Sequence, residues 1–180
     1  MHAFDLVIFQ FINGLAGKFK IFDLFGIFLA NYLGYFLIFL AVLLILTRKN
    51  WQQRFYFFSL TTLSIILARG IITEIIRFFY SRPRPFSILQ IEPLISHSAG
   101  NSFPSGHMTF YFALAFAVFF IHKRWGWRLI GAAFIIGLAR IFVGIHWPLD
   151  IIVGAIIGII SVLIIKKLLP LPSLQKIKNP

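Results

Sequence analysis

The chain has 180 residues, 59% of them hydrophobic and only 12% charged, with a mean hydropathy of +0.91. A soluble domain carries about a quarter charged residues, so this composition excludes a water-soluble globule: too little polar side chain exists to cover one. The net charge of +12 does not point to nucleic acid, because most Lys and Arg fall in short segments between apolar blocks, where membrane topology places them.

With no cysteine in the chain, neither a disulfide framework nor a thiolate metal site can form. The start, Met1-His2-Ala3-Phe4-Asp5, lacks the basic segment and small-residue cleavage site of a signal peptide. The first apolar segments are therefore expected to stay in the mature protein.

The apolar blocks run about 16 to 25 residues, enough for helices to cross a hydrocarbon core roughly 30 Å thick. Residues 4–17 are apolar but short and interrupted by Asp5, Gln10 and Asn13, which predicts an interfacial or re-entrant helix. Residues 22–46 can span, with a bend near Asn31 and Gly34; residues 55–79 can span although they carry Arg69, Glu74 and Arg77. A polar stretch follows over 80–103, then three more spans over 104–121, 127–143 and 149–168. The expected fold is all-α: a polytopic transmembrane bundle of five spans, or six if the first segment crosses, forming one domain over residues 1–180 with its motif-bearing core at 77–150.

Charge sets the expected orientation. Arg48, Lys49 and Arg54 follow the first span, Lys123, Arg124 and Arg128 the third, and Lys166, Lys167, Lys176 and Lys178 the fifth. Five spans put these clusters on one side, expected to be cytoplasmic. The opposite side then carries Arg77, Arg82, Arg84 and Arg140, against the simple bias, together with three polar clusters at 77–85, 104–107 and 140–150. Ionisable groups bordering a bilayer are costly and imply function.

Each cluster brings a distinct chemistry. In Phe103-Pro104-Ser105-Gly106-His107, Pro104 is expected to open a helix, whose first amides and the Ser105 hydroxyl would face an anion. Gly106 allows close backbone approach, and His107 can carry a proton. In the third cluster Pro148 is expected to open the last span, putting Asp150 in its first turn, where it can face His146 across about one turn or simply cap the helix. Arg77 and Arg84 stand seven residues apart, on one helical face if the helix continues to prolines 83 and 85. With Arg140 they offer planar cations for phosphate oxygens. Phosphoryl transfer needs chiefly such positioning and charge stabilisation. The five acidic residues, Asp5, Asp23, Glu74, Glu92 and Asp150, show no clustered pair, so a two-metal site is not expected, nor any cofactor.

These blocks resemble the type 2 phosphatidic acid phosphatase family, with its pattern Lys-x6-Arg-Pro, Pro-Ser-Gly-His and Ser-Arg-x5-His-x3-Asp. The matches are Arg77-x6-Arg84-Pro85, Pro104-Ser105-Gly106-His107 and Ala139-Arg140-x5-His146-x3-Asp150. Arg77 departs from Lys, altering reach, and Ala139 departs from Ser, removing a hydroxyl. The resemblance implies that His146 attacks phosphorus, Asp150 orients it, and His107 protonates the leaving oxygen and then assists water. It implies that Arg77, Arg84, Arg140, Pro104, Ser105 and Gly106 form the phosphate-binding site. The small size and residues 95–102 resemble the bacitracin-resistance type of undecaprenyl-diphosphate phosphatase. That implies a lipid phosphate or diphosphate substrate, a plasma-membrane location and an extracytoplasmic active site.

Other features read more plainly. Arg69 and Glu74 are expected to make a polar contact within the bundle, and His97 to be solvated. Gly154-x3-Gly158 permits close helix approach. Trp125, Trp127 and Trp147 are expected in the interfacial aromatic belt.

Overall fold

The computed structural model describes residues 3–169, and all regular structure among them is helical. Helix α1 (Ala3–Asn13) exposes Phe4, Val7 and Phe11 while burying Asp5 and Phe9. Its 11 residues rise about 16 Å at 1.5 Å each, too little to cross a bilayer. Helices α2 (Lys20–Asn31) and α3 (Leu33–Leu46) make one rod with a break at Tyr32, within the expected bend. The Tyr32 amide still donates to the Phe28 carbonyl (2.8 Å), so the two halves stay joined.

The next rod joins α4 (Trp51–Ile65), a π-helical segment (Ile66–Ile72) and α5 (Thr73–Phe79). Asn50 caps α4 by accepting the Gln52 amide at 2.8 Å. In the π segment the hydrogen-bond register widens: the Thr73 amide and hydroxyl both donate to the Ala68 carbonyl, five residues back. A short helix α6 (Pro85–Leu89) precedes α7 (Gly106–Ile121), α8 (Lys123–Phe142) and α9 (Pro148–Leu168). Helix α8 starts four residues before the apolar block does, because a helix can continue past the hydrocarbon while its basic first turn stays in polar surroundings.

Four of the five rods, Lys20–Leu46, Trp51–Phe79, Lys123–Phe142 and Pro148–Leu168, are long and apolar enough to span a membrane. The fifth, α7, is shorter and occupies the centre, packing most extensively on α9 and α8 and also on α4 and α3. Small residues let it sit there: Ala113, Ala115 and Ala117 are fully buried. The expected glycine pair on α9 faces it. A Cβ at Gly154 would lie 2.8 Å from Met108 Cβ, and one at Gly158 2.8 Å from Ala113 N. Where lipid and side chains are equally apolar, such close packing is what holds helices together.

The bundle has two unlike ends. At one, Arg48 donates to the Ile121 carbonyl and Lys166 Nζ stands 4.1 Å over the Phe120 ring, so the basic clusters after α3, after α7 and at the end of α9 gather. Lys176 and Lys178 lie outside the described residues. At the other end, residues 80–105 and 143–147 come together over the start of α7.

Candidate active site

The first cluster does not form one helical face. Helix α5 stops at Phe79, and residues 80–84 leave it without helical structure before Pro85 takes the first position of α6. Pro83 disfavours the helical conformation for the residue before it, and with the helix ended at Phe79 Arg77 and Arg84 meet by the chain folding back rather than by helical periodicity. Arg77 Nη2 donates to the Pro104 carbonyl (3.1 Å). Arg84 Nη1 donates to the Ile145 carbonyl (2.8 Å) and its Nη2 to the Asn101 carbonyl (3.2 Å). Each arginine thus ties its own segment to another block.

Pro104 does not open α7. It follows a cis peptide bond after Phe103, and the helix begins two residues later, at Gly106, with Ser105 in the capping position. The Ser105 amide is engaged elsewhere, donating to the Asp150 carbonyl at 3.0 Å, which keeps this residue extended and joins the second block to the third. The Ser105 side chain is fully buried, and its Oγ has no hydrogen-bond partner among the described residues.

The third block is built around a reversal. Helix α8 brings Arg140 to its last turn, Gly144 adopts φ +89°, a conformation that disfavours any residue with a Cβ, and Pro148 opens α9 as expected. Asp150 Oδ2 accepts the Trp147 amide at 2.9 Å and lies 3.3 Å from His146 Nδ1. Capping the helix and facing the histidine are therefore not alternatives; one oxygen does both. Arg140 Nη1 donates to the Ala30 carbonyl at 3.0 Å. Ala139, where the family pattern has Ser, packs in an apolar cluster with Ala30, Val143 and Ile145.

A cavity of about 430 Å³ opens between these blocks, lined by Arg77, Arg84, Gly106, His107 and His146, with Asn101, His97 and Arg69 around them. His107 is exposed to it, whereas Arg84, Arg140, His146 and Asp150 are buried. Within the cavity wall, Arg84 Nη1 is 3.4 Å from His146 Nε2. His146 therefore has one nitrogen toward a carboxylate and the other toward an arginine and the cavity. The Nε atoms of Arg77, Arg84 and Arg140 are buried without hydrogen-bond partners among the described residues, a concentration of unused donors that proteins rarely keep without purpose.

Burial first, and then Arg140 and Arg84, hold His146 well below the ordinary imidazole range, so its ring is neutral at neutral pH. Burial, reinforced by Arg77 and opposed by Asp150, lowers Arg84 to about 10, which leaves it cationic. The same fields act on His97, lowered by burial and then by Arg84. An electropositive pocket holding a neutral, oriented imidazole can stabilise an anion and present it with a nitrogen lone pair.

Three further sequence expectations change. His97 is not simply solvated but half-buried in the cavity wall. Trp147 is fully buried rather than interfacial: its indole N–H donates to the Pro83 carbonyl (3.0 Å) and its ring lies 5.1 Å from that of Phe9. The acidic residues do not stay apart either. Arg82 Nη1 donates to Asp150 Oδ1 (2.7 Å) while Nη2 donates to Asp5, and Asp5 Oδ1 accepts the Leu149 amide at 2.8 Å. Asp5 and Arg82 went unassigned in the sequence; the signal available was a lone acid inside an apolar helix.

The family described as the PAP2 superfamily matches residues 58–171. The chain belongs to the PAP2 superfamily. It is an integral membrane phosphatase of that group. "Bacitracin transport permease protein BcrC" of Bacillus licheniformis is 34% identical to it, the match covering 87% of this chain and 76% of that protein. "Undecaprenyl-diphosphatase BcrC" of Bacillus subtilis is also 34% identical, over 85% of this chain and 78% of the relative. Among solved structures, Aquifex aeolicus LpxE superposes with a TM-score of 0.74 at 32% identity, covering 92% of this chain and 96% of that one.

Proposed function

We propose that this PAP2 phosphatase removes phosphate from a membrane lipid, with undecaprenyl diphosphate converted to undecaprenyl phosphate as the leading reaction, through a phosphohistidine on His146. The observation that carries the reading is the two-sided setting of His146: Nδ1 lies 3.3 Å from Asp150 Oδ2, and Nε2 lies 3.4 Å from Arg84 Nη1 at the cavity. Asp150 holds the proton on Nδ1 and leaves the Nε2 lone pair for phosphorus.

In the first step a bond forms from Nε2 to phosphorus while the bond to the leaving oxygen breaks, with His107 supplying a proton to that oxygen. The charge this puts on the ring is met by Asp150. In the second step His107 takes a proton from water as the water oxygen attacks phosphorus and the P–N bond breaks. Arg77, Arg84 and Arg140, with Ser105 and the amides from Gly106 onward, hold the equatorial oxygens. No metal is assigned a part, because both buried carboxylates, Asp5 and Asp150, are engaged by Arg82.

The two Bacillus relatives carry different kinds of name, a permease and a diphosphatase. A carrier needs cations but no carboxylate-oriented imidazole, so the His146–Asp150 pair favours hydrolysis. The basic clusters gather at the end opposite the cavity, which supports an extracytoplasmic active site by the positive-inside rule.

The test is phosphate release by purified protein from a panel of lipid phosphates, compared by kcat/KM. His146→Ala is expected to abolish turnover while phosphate binding stays measurable, and EDTA is expected to leave activity intact. Turnover by His146→Ala near the wild-type rate sinks the nucleophile. Complete loss in EDTA, reversed by a divalent cation, sinks the metal-free chemistry.

A further inference from the structure

Arg69 takes no part in the chemistry above, yet its side chain lines the same cavity. It stands in the π-helical segment Ile66–Ile72, a widened turn of the kind that recurs at functional sites. Its guanidinium reaches up the rod to Glu74, with Nη1 donating to Oε1, and lies against the start of α7, where a Cβ at Gly106 would fall 2.5 Å from Arg69 Nε. Glu74 is half-exposed and also lies 3.5 Å from Arg77 Nη1, so one carboxylate is shared between two arginines and the row keeps a net positive charge. Nε and Nη2 of Arg69 make no hydrogen bond among the described residues, and the side chain is 39% exposed.

The cavity therefore has more cationic groups than one phosphate engages, and they are arranged in order. Arg84 and His146 stand where the loops converge, Gly106 and His107 begin α7 beneath them, and Arg69 is eight residues before Arg77 on its rod, about 12 Å further into the span at the backbone. Ile38 and Phe110, from the middle of α3 and the upper part of α7, supply apolar wall to the same cavity. A ligand whose hydrocarbon chain lies in the membrane and whose terminal phosphate meets His146 would carry any second phosphate past His107 and alongside Arg69.

We propose that Arg69 forms a second phosphate-binding subsite, which holds the chain-proximal phosphate of a lipid diphosphate and so selects diphosphates over monophosphates. This rests on the phosphatase reading above. In that pose the bond broken joins the terminal phosphorus to the bridging oxygen. The departing group is the lipid monophosphate, whose anionic oxygens Arg69 neutralises. Arginine suits this because its fork stays charged at any working pH and engages two oxygens at once.

The experiment compares kcat/KM for farnesyl diphosphate and farnesyl monophosphate, which share a chain, in wild type, Arg69→Gln and Arg69→Lys, with thermal melting in detergent as the fold control. The diphosphate-to-monophosphate ratio is expected to fall at least tenfold in Arg69→Gln, carried mainly by KM. In Arg69→Lys, which keeps the charge and loses the fork, a fall of at least threefold is expected, and this arm stands if the glutamine variant does not fold. A ratio within twofold of wild type in the folded variants overturns the subsite and assigns Arg69 to packing with Glu74. Wild-type protein that releases phosphate from neither lipid overturns the phosphatase reading instead.

Discussion

Arg82 Nη1 donates to Asp150 Oδ1 at 2.7 Å, so the carboxylate that faces His146 is itself held by an arginine outside the matched motif positions. The same guanidinium donates to Asp5 and stands 5.5 Å from the Trp147 ring. An acid–arginine–acid–histidine line thus runs from α1 to the cavity. The arrangement resembles the outer carboxylates that orient metal-binding imidazoles in other proteins, whose loss costs about 10- to 100-fold.

Asp5→Ala should therefore act on catalysis from a helix that contributes nothing to the cavity wall. It leaves Arg82 with Asp150 as its one carboxylate partner and loosens the guanidinium that positions Asp150. We expect kcat to fall about 10- to 100-fold and stability to drop by about 3–5 kcal/mol, the usual cost of breaking a buried pair. Asp5→Asn, which can still accept the Leu149 amide, should fall between. Phosphate release at saturating lipid and melting in detergent check both; kcat unchanged in a folded Asp5→Ala protein would detach α1 from the mechanism.

The pH dependence has a definite sign. In the proposed mechanism His146 attacks as the neutral ring, and its pKa is held well below the ordinary value by burial first and then by Arg140 and Arg84. Activity should persist on the acid side below the ordinary imidazole range, about 6.5. Arg84→Gln removes one of the charges that lower it, so the acid limb of kcat/KM should move to higher pH even as the rate falls. The same group contributes to stability: below about pH 6.5 the unfolded chain binds a proton that the folded chain refuses, so stability falls as pH drops from there. A pH–rate profile of wild type and Arg84→Gln decides it; a limb at the same pH in both would remove His146 as the titrating group.

The three motif blocks were legible because charged and turn-forming residues stand out against apolar spans, and five spans put them at one end. Helical periodicity could not show how Arg77 and Arg84 meet, since the chain leaves the helix between them. Asp5 and Arg82 each stand out locally, as a lone acid in an apolar helix and a cation against the charge bias, but 77 positions separate them and nothing in the sequence pairs them. Arg69 was legible as the partner of Glu74, which it meets, but not as part of the cavity wall, because the π segment breaks the 3.6-residue period on which face assignments depend. Trp147 looked interfacial by its place near a span end, but α1 and Phe9 cover it.

His107 is assigned the leaving-group proton, which matters most when the leaving oxygen is basic. A lipid monophosphate expels an alkoxide, whereas a lipid diphosphate expels an already acidic phosphate. His107→Ala should slow monophosphate hydrolysis by about 10²- to 10⁴-fold, the usual range for a general acid, and diphosphate hydrolysis by distinctly less. Rates on a matched pair of lipids check this. Equal losses would point to a role for His107 in holding phosphate.

Packing of α9 on α7 should limit stability more than hydrophobicity does. At Gly158 an added Cβ would lie 2.8 Å from both Ala113 N and Thr109 O, backbone atoms of α7 that cannot swing aside. Gly158→Ala should therefore push the helices apart and cost about 1–3 kcal/mol, the range for overpacking. At Gly131, on α8, nothing lies within 4 Å of the same added atom, and the gain in helix propensity of up to about 1 kcal/mol should make Gly131→Ala neutral or stabilising. Because α7 carries His107 and α9 carries Asp150, the Gly158 substitution should also lower activity in proportion as it shifts one helix against the other. Melting temperatures in one detergent, with phosphate release at a fixed temperature below both transitions, separate the two effects; equal melting of the two alanine variants would show that this crossing is not close-packed.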